Sequence, residues 1–117
     1  MWELEFSTEA EQDFELIFDH LCRSYVDLGE DSDAALIRAG DRIRGIRASM
    51  DKLLSAPFVG TLRPDVRPGL RFVRQEKAVV WFLPDKERTR VVIIAVFFGA
   101  QDHIRHMLTR LLEGHVQ

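Results

Sequence analysis

The apolar run from Val91 to Phe98 constrains the fold more than any other stretch of this sequence. None of its eight residues carries a charged or hydrogen-bonding side chain. Because strand side chains alternate between the two faces of a sheet, such a run is apolar on both faces. We predict a strand over Arg90–Phe98, with odd-numbered residues on one face and even-numbered residues on the other. Both faces then need cover from other elements.

Two amphipathic segments near the N-terminus supply part of this cover. An apolar residue recurs every three or four positions in residues 8–27, which predicts a first helix. The same spacing in residues 36–53 predicts a second helix that ends before Pro57. Since a short loop joins the two segments, we expect an antiparallel helical hairpin.

The remaining segments complete an α+β pattern. Residues 2–6 alternate between apolar and acidic side chains, which is typical of a half-buried strand. Two more strands are predicted over Leu70–Gln75 and Ala78–Leu83, and a C-terminal helix over about Asp102–Glu113. The predicted order is β-α-α-β-β-β-α in a single domain over residues 1–117. In this arrangement the helical hairpin packs on a small, mainly antiparallel sheet, and the C-terminal helix covers part of the second sheet face.

The C-terminal helix carries a pair of histidines. His103 and His106 are three residues apart, a spacing that two metal ligands can use. No third ligand is evident, and both histidines, with Arg110, are predicted on the helix face opposite its apolar stripe. We therefore expect a solvated surface there, with no metal and no cofactor.

Charge and composition bear on several classes of protein. The net charge of −3 at pH 7 argues against a surface that is basic throughout, as in proteins that bind nucleic acid mainly through phosphates. The charge is uneven, because residues 1–59 carry 6 Lys/Arg and 13 Asp/Glu, whereas residues 60–117 carry 10 and 6. Cys22 is the single cysteine, no stretch resembles a signal peptide, and the longest apolar run is too short to span a bilayer. We expect a cytoplasmic protein.

Three arginines recur every four residues in the stretch RPDVRPGLRFV, at Arg63, Arg67 and Arg71. This is the spacing of a helix face, but two prolines and a glycine lie within the stretch, so we predict a stiff loop that leads into a strand. Two hypotheses remain open. The arginines can satisfy carbonyls and carboxylates of their own loop, including Asp65, or they can bind an acidic partner or phosphates.

Three stretches carry a resemblance to a known family. FSTEAEQDFELIFDHL, SAPFVGTLRPDVRPGLRFV and RVVIIAVFFGAQDHIRHMLTRLL resemble, in order and spacing, the RelE/ParE superfamily of toxins from bacterial type II toxin–antitoxin (plasmid stabilisation) systems. The resemblance extends over nearly the whole chain. It implies a RelE/ParE-like fold and a growth-inhibiting cytoplasmic toxin that a cognate antitoxin neutralises, with a homodimer or a toxin–antitoxin hetero-oligomer as the assembly.

The family has two branches with different targets. RelE-like members cut mRNA on the ribosome, whereas ParE-like members inhibit DNA gyrase by protein binding. The segment RPGLR resembles the corresponding segment of the ParE branch. Where the nuclease branch carries a basic residue, this sequence has the uncharged residues Ala100 and Gln101. The resemblance therefore implies a ParE-like gyrase inhibitor without catalytic residues. The alternative is a ribosome-dependent mRNA endonuclease that uses Arg71 and His106.

The candidate contacts with the target or the antitoxin are chosen from the arginine stretch and from the start of the C-terminal helix. They are Arg63, Arg67, Arg71, Gln101, Asp102 and His103.

Overall fold

The order of helices and strands matches the prediction. The computed structural model describes residues 1–99 and 102–113. Its elements are β1 (Glu3–Phe6), α1 (Thr8–Asp27), α2 (Ser32–Ser49), α3 (Lys52–Ser55), β2 (Thr61–Leu62), β3 (Arg71–Gln75), β4 (Ala78–Asp85), β5 (Arg90–Phe98) and α4 (His103–Leu112). The sequence did not predict the two-residue strand β2, and the predicted second helix is divided into α2 and the short α3. No helix in this part of the chain is long and apolar enough to span a membrane.

The five strands form one sheet in the order β1-β5-β4-β3-β2. The pairs β2–β3, β3–β4 and β4–β5 are antiparallel, so the predicted antiparallel meander is confirmed. β1 pairs with β5 in parallel, with Glu3 opposite Arg90 and Phe6 opposite Ile93. Because β1 is short, the second half of β5 continues beyond it, and in residues 1–99 and 102–113 no other strand pairs with it on that side.

Both faces of the sheet are covered, as the apolar run in β5 required. The hairpin of α1 and α2 packs on one face, where Phe14, Ile17 and Ile46 meet side chains of β4 and β5. α4 packs on the other face, where Met107 is fully buried against Trp81 and neighbouring residues. We call these the hairpin face and the α4 face.

A β-bulge makes the alternation of side chains in β5 differ from the prediction. Trp81 lies opposite Ala95 and the next residue of β4 lies opposite Ile93, which leaves Ile94 as an extra residue. Ile94 and Ala95 consequently both pack on the α4 face, while Val96 returns to the hairpin face. The odd–even prediction is therefore wrong from Ala95 onward, because a bulge shifts the alternation by one residue.

The buried stripe of α2 also differs from the prediction. Leu36, the first apolar residue of the predicted helix over residues 36–53, is 49% exposed, whereas Ala35 and Ala39 are buried. Small side chains at a helix–helix contact let the two helices approach closely, so the alanines rather than the leucine face α1.

Candidate functional site

The arginine stretch is a closed loop rather than a helix. The Arg63 amide donates a hydrogen bond to the Leu70 carbonyl (2.8 Å), and the Leu70 amide donates to the Arg67 carbonyl (3.1 Å). Gly69 has φ = +80°, a left-handed conformation that glycine adopts without steric cost. The four-residue spacing of the arginines therefore does not place them on one helix face.

Arg63 satisfies a carboxylate of its own loop. Its Nε and Nη2 donate to the two oxygens of Asp65, at 3.0 and 2.7 Å. These hydrogen bonds lower the pKa of Asp65 and raise that of Arg63. Arg67 differs, because its Nη1 is buried and makes no hydrogen bond within the described residues. For Arg63, the structure favours the first of the two hypotheses about this loop.

Arg71 lies on the hairpin face, since Val73, two residues further along β3, packs into the core of that face. Its Nη1 donates to the Phe58 carbonyl (2.7 Å), and its guanidinium lies 5.6 Å from the centre of the Phe58 ring. The Phe58 ring in turn packs edge-on against Trp2 at 5.8 Å. Arg71 thus fixes an exposed apolar surface, the Phe58 patch, whose members are Phe58, Val59 and Leu62.

His103 is buried, so its predicted place on a solvated surface is wrong. Only 5% of the residue is exposed, and its ring lies 4.7 Å from that of Phe72 and 5.5 Å from that of Trp81. Its Nδ1 is buried without a hydrogen-bond partner in the described part of the chain. Burial lowers the pKa of His103, and the charges of Arg74 and Arg63 lower it further. The structure thus favours the neutral imidazole.

Arg74 is a site residue that the sequence analysis did not single out. It follows Phe72 by two residues in β3 and so lies on the α4 face, beside His103. Among the described residues it forms no salt bridge. The sequence contained enough information to place this residue, because alternation along the predicted strand puts Arg74 on the sheet face opposite Arg71.

The other predicted site residues do not form one cluster. Asp102 precedes α4 with φ = +56°, and its side chain makes no capping hydrogen bond. His106 is exposed on α4, with its ring 5.6 Å from that of Phe97, on the sheet face opposite Arg71. Gln101 lies outside the described residues. Within the described ranges, no group of three His, Cys, Asp or Glu residues has the geometry to hold a metal ion.

A buried ion pair joins α1 to α4. Both oxygens of Asp13 accept hydrogen bonds from Arg110, at 2.8 and 3.1 Å, and one also accepts from the Val96 amide at 2.9 Å. Asp13 thereby supplies a hydrogen-bond acceptor to the outer edge of β5, beyond the point where β1 ends. The sequence indicates that Asp13 is buried, because it lies three residues after Ala10 and four before Ile17, within the apolar stripe of α1.

Solved structures with the same fold belong to bacterial toxin–antitoxin systems. A chain of the chromosomal ParDE system from P. aeruginosa has a TM-score of 0.63 and 22% identity, covering 86% of this chain and 98% of that chain. The E. coli toxin RelE in the free state has a TM-score of 0.58 and 10% identity, covering 95% and 97% of the two chains. A chain of the intact E. coli RelBE complex has a TM-score of 0.52 and 12% identity, covering 86% and 100%.

No protein-family profile matches this sequence, and no curated protein matches it. The likeness therefore lies in the arrangement of helices and strands, and it confirms the fold that the sequence resemblance implied.

Proposed function

We propose that this chain, which has the RelE/ParE-like fold, is the toxin of a type II toxin–antitoxin system and acts as a ParE-like inhibitor of DNA gyrase. The observation that carries this proposal is the likeness to the chain of the ParDE system, which extends over 98% of that chain. The identity of 22% also exceeds the 10% and 12% found with the two chains from the RelE systems. A cognate antitoxin neutralises the toxin in the cytoplasm.

The placement of Arg71 and His106 supports inhibition by protein binding. The residues suggested for a nuclease, Arg71 and His106, lie on opposite faces of the sheet and do not converge on one phosphate. Arg71 instead supports the exposed Phe58 patch. Surfaces that combine an aromatic residue, an arginine and aliphatic side chains are typical of the anchor regions of protein–protein interfaces.

The test combines growth with an assay on purified gyrase. Expression without antitoxin is expected to stop growth, and the purified protein with gyrase and ATP is expected to trap cleaved DNA. Arg71→Ala is expected to weaken trapping at least about 10-fold if the Phe58 patch is an anchor of the interface. The control is Arg44→Ala, which removes an equal charge from an arginine of α2 that is 71% exposed. A wild-type protein that stops growth without trapping cleaved DNA would rule out gyrase as the target.

A second candidate, a ribosome-dependent mRNA endonuclease, is favoured by one arrangement. Arg74 is free of carboxylate partners in the described residues and lies beside the neutral imidazole of His103 on the α4 face. A guanidinium can stabilise charge on a phosphate, and a neutral imidazole can accept a proton. Primer extension on translated mRNA distinguishes the candidates. Cuts that depend on the ribosome and disappear with Arg74→Ala would establish the nuclease in place of the gyrase inhibitor.

A further inference from the structure

A groove runs between α1 and α4 along the second half of β5. It consists of two adjoining cavities of about 390 and 560 Å³, which share Asp13, Leu16, Phe97, His106 and Arg110. The groove exists because β1 ends at Phe6 and the chain turns into α1, so that no described residue forms a strand beside β5 from there on. The ion pair between Asp13 and Arg110 holds the two helices across it.

Among the described residues, side chains of the chain satisfy only the first part of this open strand edge. The Ser7 hydroxyl donates to the Ile94 carbonyl at 3.1 Å, and Asp13 accepts from the Val96 amide at 2.9 Å. The Gly99 amide points to the other side, where it donates to Lys77 of the β3–β4 turn. Since amides alternate along a strand, the N–H and C=O of Phe98 point outward, on the same side as the Val96 amide. They lie at one end of the groove.

The apolar part of the groove is open to solvent. Leu16 is 67% exposed on α1, and the rings of Phe97 and His106 form the opposite wall at 5.6 Å from each other. An exposed leucine beside aromatic rings is the kind of surface into which a partner inserts an apolar side chain.

The charge of the groove selects the class of partner. Among the described residues, its lining contains the carboxylates of Glu9, Asp13 and Glu113 and one guanidinium, that of Arg110, which pairs with Asp13. The surface of α1 beyond it adds Glu15 and Asp19. This excess of negative charge repels phosphates and attracts lysine and arginine, so it favours a protein segment over a nucleic acid.

We propose that this groove binds a segment of the cognate antitoxin that inserts an apolar side chain between Leu16 and Phe97 and presents lysine or arginine to the carboxylates of α1. The inference rests on the proposed toxin function and adds the location and chemistry of the contact. The backbone of the segment can reach the outward N–H and C=O of Phe98, as extended peptides do when they pair with a free strand edge.

The test uses the full-length chain and the protein encoded by the neighbouring gene, together with overlapping synthetic peptides of that protein. Leu16→Arg places a positive charge in the groove, and it is expected to weaken binding at least about 10-fold. Ile37→Arg is the matched control, because Ile37 is also 67% exposed but lies on α2, outside the groove. Circular dichroism and growth inhibition without antitoxin establish that both variants fold.

Hydrogen exchange gives a second measurement on the wild-type complex. Amides in residues 9–20 and the Phe98 amide are expected to gain protection when the partner binds, and binding is expected to weaken with added salt. Wild-type affinity in Leu16→Arg, an equal loss in Ile37→Arg, or unchanged exchange at these amides would each overturn the proposal. If the wild-type chain binds no such protein and does not inhibit growth, the proposed toxin function fails as well. Failure of the toxin function is thus seen with the wild-type chain alone, whereas failure of the groove proposal is seen in the comparison of the two variants.

Discussion

Replacing Asp13 by alanine is expected to destabilise the protein more than replacing any exposed acidic residue of α1. The Asp13 carboxylate accepts three hydrogen bonds, one from the Val96 amide and two from Arg110. After the substitution the Val96 amide remains buried without an acceptor. The Arg110 guanidinium, whose side chain is 18% exposed, loses its counter-ion.

The size of the effect follows from these two losses. A buried amide without a partner costs about 1–3 kcal/mol, and removal of one partner from a buried ion pair costs about 3–5 kcal/mol. The two figures overlap, and Arg110 can turn its partly exposed end toward water, so we expect about 3 kcal/mol in total. For a domain of this size, that lowers Tm by about 12 °C. Asp13→Asn keeps an oxygen for the Val96 amide and is expected to cost about 1–2 kcal/mol.

Urea unfolding followed by circular dichroism measures these differences. Glu15→Ala is the control, since Glu15 lies exposed on the same helix, and it is expected to change stability by less than about 0.5 kcal/mol. Asp13→Leu combined with Arg110→Met is expected to recover part of the loss, because no buried charge then lacks a partner. A free energy of unfolding for Asp13→Ala within about 1 kcal/mol of wild type would refute the assignment of the pair as a structural link between α1 and α4.

Two further predictions concern His103 and the glycines. Because the pKa of His103 is lowered in the folded protein, its contribution to stability is fully present above the ordinary pKa near 6.5 and is lost as pH falls below it toward the folded pKa. Urea titrations at pH 7.5 and 5.5 should show a smaller pH dependence for His103→Phe than for the wild type. Gly60→Ala is expected to cost about 2 kcal/mol or more, since its φ is +88° and an added Cβ would press against the Phe72 carbonyl. Gly45→Ala in α2, where an added Cβ meets nothing within 4 Å, is expected to stabilise the protein by about 0.5–1 kcal/mol. A higher Tm for Gly60→Ala than for Gly45→Ala would contradict both expectations.

The sequence predicted the elements that have a simple period. The apolar stripe of α1 and the two-sided apolar run of β5 identified the helical hairpin and the need for cover on both sheet faces. The bulge at Ile94 was not predictable in this way, because it depends on how β4 and β5 are paired rather than on either sequence alone. β2 was missed for a related reason, since a two-residue strand contains too few residues to show a period.

The candidate site was less predictable than the fold. Periodicity placed His103 on the outer face of its helix, but as the first residue of α4 it reaches back over the sheet to Phe72 and Trp81. Arg71 differs from Arg63 and Arg67 because it lies in β3, within the strand that the sequence predicted over Leu70–Gln75. Its contact with Phe58 comes from a residue 13 positions earlier, which no local pattern reveals.

The parallel pairing of β1 with β5 has a consequence for how the chain folds during synthesis. Residues that pair across these strands, such as Leu4 and Val91, are far apart in the sequence, and the hydrogen bond from Ser7 to Ile94 spans 87 residues. At ribosomal rates of about 5–20 residues per second, roughly 4–17 s separate the emergence of the two strands. During this interval β1 has no partner strand, and the apolar residues of α1 lack the surface on which they pack. The nascent chain therefore completes its sheet only after β5 has emerged, and until then its exposed apolar helix is open to chaperones and proteases.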